Sequence, residues 1–132
     1  MNRRLKAITL IAAAAIGLAA CSAGSREGGY VTRTVSDIQQ TVTAKDHPAV
    51  IDVREPDEFA SGHVPGAVNV PLATVPDWAA KQAKDAPYVV ICQSGRRSAK
   101  ASEILVEQGF KQVTNVAGGT AAWIEQGLPV SK

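Results

Sequence analysis

The sequence predicts an α/β domain built on about five parallel strands, with helices on both faces of the sheet. Three observations carry that prediction. Short β-branched runs recur with little polar alternation, as in "AVIDV" (49–53), "AVNV" (67–70), "YVVIC" (88–92) and "VTNV" (113–116), which is how strands buried on both faces read. Helix-start signals fall between these runs. Glycines follow the helical patterns as stops.

The elements follow in order. "YVTRTV" (30–35) reads as a fifth strand, at the edge of the sheet. Ser36 with Gln39 forms a capping pattern ahead of "DIQQTV". The strand at 49–53 comes next, then the one at 67–70. Thr74 with Asp77 repeats the capping pattern before "WAAKQA", and Pro76 is tolerated in a first turn. After the strand at 88–92 a helix is expected from about Ser98, with apolar Ala101, Ile104 and Leu105 on one face and Gly109 as its stop. The strand at 113–116 leads into "GGTAAWIEQG", a glycine pair opening a last short helix that ends at Gly127.

The N-terminus reads differently. "MNRRLK" is basic, and the apolar run "AITLIAAAAIGLAA" has 14 residues, short of the roughly 20 that span a bilayer. The pattern fits a signal peptide over residues 1–20. "LAAC" ends it, resembling a bacterial lipobox in which Cys21 is acylated and becomes the new N-terminus. Cleavage near Ala20 by an ordinary signal peptidase is the alternative. The expectation is thus a protein of the cell envelope, tethered to a membrane outside the cytoplasm by lipid on Cys21. Residues 21–29, rich in Gly and Ser, read as a flexible tether. Residues 30–132 then form the domain. Ser22 is not the aspartate that retains some lipoproteins at an inner membrane.

Removing residues 1–20 takes away Arg3, Arg4 and Lys6, so 14 basic residues become 11 against 12 acidic ones. The basic balance of the full chain belongs to the targeting segment and gives no support for nucleic-acid binding. With Cys21 modified, Cys92 is the only thiol of the two cysteines. A lone thiol in an exported chain is either reactive or a small buried apolar group.

The surroundings of Cys92 favour reactivity. It ends a central strand, and ligands of open parallel sheets bind beyond the carboxyl ends of strands. Residues 93–97 can curl their N–H groups around the sulfur, with Gly95 supplying the freedom. The following helix points its positive end there, and Arg96 and Arg97 add cations. Such surroundings stabilise a thiolate. They also suit an anionic substrate.

"IDVREPDEFASGHVPGAVNVP" (51–71), "VICQSGRRS" (90–98) and "NVAGGTAAWIEQGLPV" (115–130) resemble a single-domain rhodanese. The resemblance covers about residues 30–131. It implies the rhodanese-like fold and a sulfurtransferase that takes sulfane sulfur from thiosulfate or a similar donor. Cys92 would be the nucleophile and persulfide carrier, and a small thiol, cyanide or a partner protein the acceptor. The loop would run from Cys92 to Arg97, with Gln93, Ser94, Gly95, Arg96 and Arg97 binding the transferred sulfur and the anionic donor. A membrane-tethered sulfur carrier with little small-molecule turnover needs the same loop and is the alternative. A Cdc25-type phosphatase or arsenate reductase would need its arginine at position 98, where this chain has Ser98.

Asp52 and Arg54 close the second strand and read as support for the site, through an internal ion pair that could also involve Glu55, Asp57 or Glu58, with Arg54 contacting substrate or bracing the loop as the alternative. His63 reads as a turn-stabilising group and His47 as solvated. These histidines and Cys92 have no metal-ligand spacing, so no metal is expected. Gly118 and Gly119 lack the spacing of a dinucleotide loop, and no cofactor is expected. Trp78 and Trp123 read as packing groups.

Overall fold

The computed structural model describes residues 25–132. The targeting segment and Cys21 lie outside them. Six strands form one sheet in the order β1-β2-β6-β5-β3-β4. They are β1 (Ser25–Glu27), β2 (Tyr30–Thr34), β3 (Ala49–Asp52), β4 (Val68–Asn69), β5 (Pro87–Ile91) and β6 (Gln112–Ala117). The five from β2 to β6 are parallel, and β1 pairs antiparallel with β2. The helices are α1 (Val35–Thr43), α2 (Pro56–Ser61), α3 (Val75–Ala79), α4 (Arg96–Glu107) and α5 (Gly119–Glu125).

Alternation along β5 explains why its sequence is apolar throughout. Val89 and Ile91 face one core with Val35, Ile38 and Val42 of α1 and Trp123 of α5. Tyr88, Val90 and Cys92 face the other, with Val75 and Ala79 of α3 and Ala101 and Leu105 of α4. The sheet is thus covered on both sides. Cys92 lies on the α4 side, just past the end of a strand flanked by β3 and β6.

Four details differ from the sequence expectations. Residues 30–34 are not at the edge, because Ser25–Glu27 pair outside them. The chain turns at Gly28 and Gly29, with φ of 57° and 95°. Both values are positive, as a two-residue hairpin turn of type I′ requires, and two glycines meet that need without strain. The segment read as a tether therefore joins the sheet over residues 25–27. The cap of α1 is Thr34 with Asp37, two residues before the expected pair. There the Thr34 N–H donates to Asp37 Oδ2 at 3.0 Å, and the Asp37 N–H donates to Thr34 Oγ1 at 3.3 Å. The Thr74 pattern makes no box, since its hydroxyl donates to the Pro71 carbonyl at 2.7 Å. Finally, α2 was not foreseen, and α4 begins at Arg96, ahead of Ser98.

Candidate active site

Chain geometry places Cys92 between the end of β5 and the start of α4. Its side chain is wholly buried. The Gly95 N–H donates to Sγ at 3.1 Å. The Ser98 hydroxyl lies 3.3 Å from Sγ, one turn into the helix. Burial pushes the thiol pKa up, but the Ser98 hydroxyl and the N–H groups of Ser98, Gly95 and Ser94 outweigh it, and the net direction is down. A thiol held this way is a stronger nucleophile source near neutral pH than a free one.

The loop keeps this shape because α5 holds its other side. Thr120 N–H donates to the Cys92 carbonyl at 2.8 Å, and Ala121 N–H to the Gln93 carbonyl at 3.1 Å. In a trans peptide the C=O and the following N–H point opposite ways. Anchoring those two carbonyls on α5 therefore aims the amides of residues 93 and 94 away from it. Two glycines permit the approach. Gly95 has φ of 103°, and a Cβ there would sit 3.3 Å from the Val116 carbonyl. Gly119 has φ of 56°, and a Cβ would lie 2.3 Å from the Cys92 carbonyl oxygen. The glycine pair 118–119 is the bend that brings α5 onto the loop.

Asp52 and Arg54 are joined as expected. Arg54 Nη2 is 2.8 Å from Asp52 Oδ2, and both side chains are almost wholly buried. Arg54 also donates to the Gly62 carbonyl at 2.8 Å and to Gln93 Oε1 at 3.3 Å. It thus braces the loop from below. Asn69 Nδ2 ties the same corner by donating to the carbonyls of Asp52 and Arg54.

The loop arginines part company. Arg96 is exposed. Arg97, expected to be free for an anionic donor, is held by Glu58 of α2, with Nη1 to Oε1 at 2.6 Å and Nη2 to Oε2 at 2.9 Å. The Arg97 guanidinium holds the Glu58 carboxyl down to about 2, well below the usual range. Sequence reasoning missed Glu58 and the role of Ser98. Pro56 followed by Glu58 at the third helical position is a helix-start signature that could have revealed α2. A separation of 39 positions between Glu58 and Arg97 leaves no local signal of their pairing.

The remaining singled-out residues are structural. His63 Nδ1 lies 2.8 Å from the Phe59 carbonyl, and its ring stacks on Phe59 at 3.6 Å. His47 is exposed, with Nδ1 at 2.7 Å from the Pro48 carbonyl. Trp123 is buried and donates to the Pro129 carbonyl at 2.8 Å. Trp78 packs edge-on to Tyr88. Among the described residues no group of three His, Cys, Asp or Glu side chains could hold a metal ion.

Replacing Ser98 by Ala should raise the thiol pKa, because the thiolate loses one hydrogen-bond donor. The sign follows from the hydroxyl favouring the thiolate. Alkylation by iodoacetamide, followed against pH, should show its midpoint shifted to higher pH in Ser98→Ala. An unmoved midpoint would deny Ser98 that role.

Known proteins resemble this chain over most of the domain. The family model described as "Rhodanese-like domain" matches residues 34–126. A sulfurtransferase of Allochromatium vinosum is 34% identical over 93 residues, covering 70% of this chain and 87% of that one. The thiosulfate sulfurtransferase GlpE of Pseudomonas putida is 39% identical over 79 residues, covering 60% of this chain and 72% of that one. The crystal structure of a rhodanese-related protein from Thermoplasma volcanium superposes with a TM-score of 0.68 at 35% identity, covering 77% of this chain and 98% of that one.

Proposed function

We propose a sulfurtransferase that works through a persulfide on Cys92, since the chain belongs to the rhodanese-like family. The observation that carries this is the sulfur's surroundings, where N–H and hydroxyl donors outweigh burial and favour the thiolate. In the first half-reaction the Cys92 thiolate attacks the outer sulfur of thiosulfate or a similar donor. The S–S bond of the donor breaks, its electron pair leaves on sulfite, and Cys92 carries a persulfide. The donors that stabilised the thiolate now face the charged terminal sulfur, as an oxyanion hole faces developing charge. In the second half-reaction cyanide or a thiol attacks that sulfur and returns the thiolate. This is covalent catalysis of the ping-pong kind. Arg96, exposed beside the loop, attracts the anionic donor. Asp52 holds Arg54, which in turn holds Gln93. The phosphatase alternative loses its arginine to Ser98, which is buried against Sγ.

The protein incubated with thiosulfate should gain about 32 Da on Cys92, the mass of one persulfide sulfur. Added cyanide should then yield thiocyanate over many turnovers. Mass gain with no turnover would make the protein a carrier that hands sulfur to a partner. Absence of both the mass gain and the turnover would overturn the reading.

The lipobox-like "LAAC" supports an anchor on Cys21 that holds the domain to a membrane outside the cytoplasm. The full-length chain should then fractionate with membranes, and Cys21→Ala should lose that association. Equal membrane fractions for the two would discard the anchor.

A further inference from the structure

We infer that Glu58 is a specificity-determining residue of the sulfur-transfer site, favouring sulfane donors that carry one negative charge over thiosulfate, which carries two. The inference rests on the sulfurtransferase reading above.

Its basis is where the positive charge of the loop goes. Arg54 is paired with Asp52 and buried. Arg97 is gripped at both nitrogens by Glu58, and both side chains are about one-third exposed, at 34% and 32%. Among the described residues, Arg96 is therefore the one guanidinium near the loop without a carboxylate partner. Arg97 also feels the charges of Cys92 and Glu55. It is thus within electrostatic reach of the thiolate and of two carboxylates of the α2 region. Glu58 stays ionised throughout the working range of pH, because Arg97 holds its pKa near 2.

An incoming donor meets a thiolate that must remain charged to react, with Glu58 close behind Arg97. Coulomb energy scales with the donor's charge. Any penalty from Glu58 therefore weighs twice as heavily on a dianion, in the logarithm of the rate, as on a monoanion. The Glu58 grip also occupies the paired N–H fork of Arg97, which would otherwise fit two oxygens of a sulfonate end. Donors with a single charge, such as an organic thiosulfonate or an alkyl persulfide, lose less by both effects.

Thiosulfate and methanethiosulfonate test this, because each presents a terminal sulfur on an oxidised sulfur and they differ in charge. The thiolate forms one S–S bond in each case and breaks another. The electron pair leaves on sulfite from the first donor and on methanesulfinate from the second. Thiocyanate formation gives kcat/KM for both. Glu58→Gln should raise kcat/KM about tenfold for thiosulfate and about threefold for methanethiosulfonate, as a charge-proportional effect requires. Arg97→Gln leaves Glu58 uncompensated and should move the thiosulfate-to-methanethiosulfonate ratio the other way. Opposite shifts in the two variants support the inference, since loop damage would not depend on the sign of the charge removed. A ratio unchanged in Glu58→Gln, or moved the same way by both variants, overturns it and leaves sulfur transfer standing. Failure of the wild-type protein to form a persulfide from either donor removes the sulfur-transfer reading and this inference with it.

Discussion

Cys92→Ser should lower thiocyanate formation by at least about 10⁴-fold, on the scale seen when a covalent nucleophile is removed. Every feature of the loop serves a sulfur anion. The hydroxyl of serine stays protonated at neutral pH, and no base is placed to take its proton. Ser98 is itself a hydroxyl, 3.3 Å away. It can share a hydrogen bond with a serine at 92 but cannot ionise it. The exchange is otherwise conservative, because an oxygen in that place meets the same Gly95 N–H. Thermal unfolding should therefore shift by only a few degrees. A folded variant without transfer and without the persulfide mass gain assigns the chemistry to the thiol. Retained transfer would remove Cys92 from the reaction.

Gly119→Ala should destabilise the domain by about 2–5 kcal/mol, the combined scale of a left-handed non-glycine residue and an overpacked core. The new methyl group would meet the Cys92 carbonyl oxygen at 2.3 Å and the Gln93 carbonyl carbon at 2.7 Å. Those atoms are main chain and cannot swing aside as a side chain would. Either α5 or the loop must move, and either motion breaks the bond from Thr120 N–H to the Cys92 carbonyl. The thiol pKa should rise with it as the amides lose their aim. Gly127 is the control, with φ of 71° and nothing within 4 Å of a built Cβ. Gly127→Ala should lose only the backbone share, about 1–2 kcal/mol. Urea denaturation of the two variants checks the contrast, and equal losses would show that the contact at Gly119 is unimportant.

The parts of the fold legible in the sequence are those governed by local pattern. Strands buried on both faces leave unbroken apolar runs, so β3, β5 and β6 were visible to within a residue or two. The candidate loop was visible because its residues are contiguous from Cys92 to Arg97, whereas the Ser98 hydroxyl gave no signal of its contact with the sulfur. What escaped depends on partners far apart in the chain. Glu58 reads as one acid among several in "REPDEF" until α2 is placed beside α4. β1 escaped for another reason. Gly28 and Gly29 have the composition of a linker, and only the positive φ of both distinguishes a hairpin turn from a loose chain. The Thr34 cap was missed in favour of Ser36 because Thr34 with Asp37 offers a similar pattern two residues earlier, and the strand before it decides where the helix begins.

The contact of Gly119 with the Cys92 peptide has a consequence for how such a site can diversify. The sulfur cradle is fastened to α5 by main chain against main chain, so the shape that activates the thiol does not depend on the side chains at Ser94 and Arg96. Ser94 and Arg96 are exposed and make no hydrogen bond through their side chains that holds the cradle together. Lineages, or a mutagenesis library, can therefore vary these positions and change which donor or acceptor is welcomed while the reactive centre is inherited intact. The glycines at 95 and 119 are the fixed hardware of such a series, and Ser94 and Arg96 are its interchangeable face.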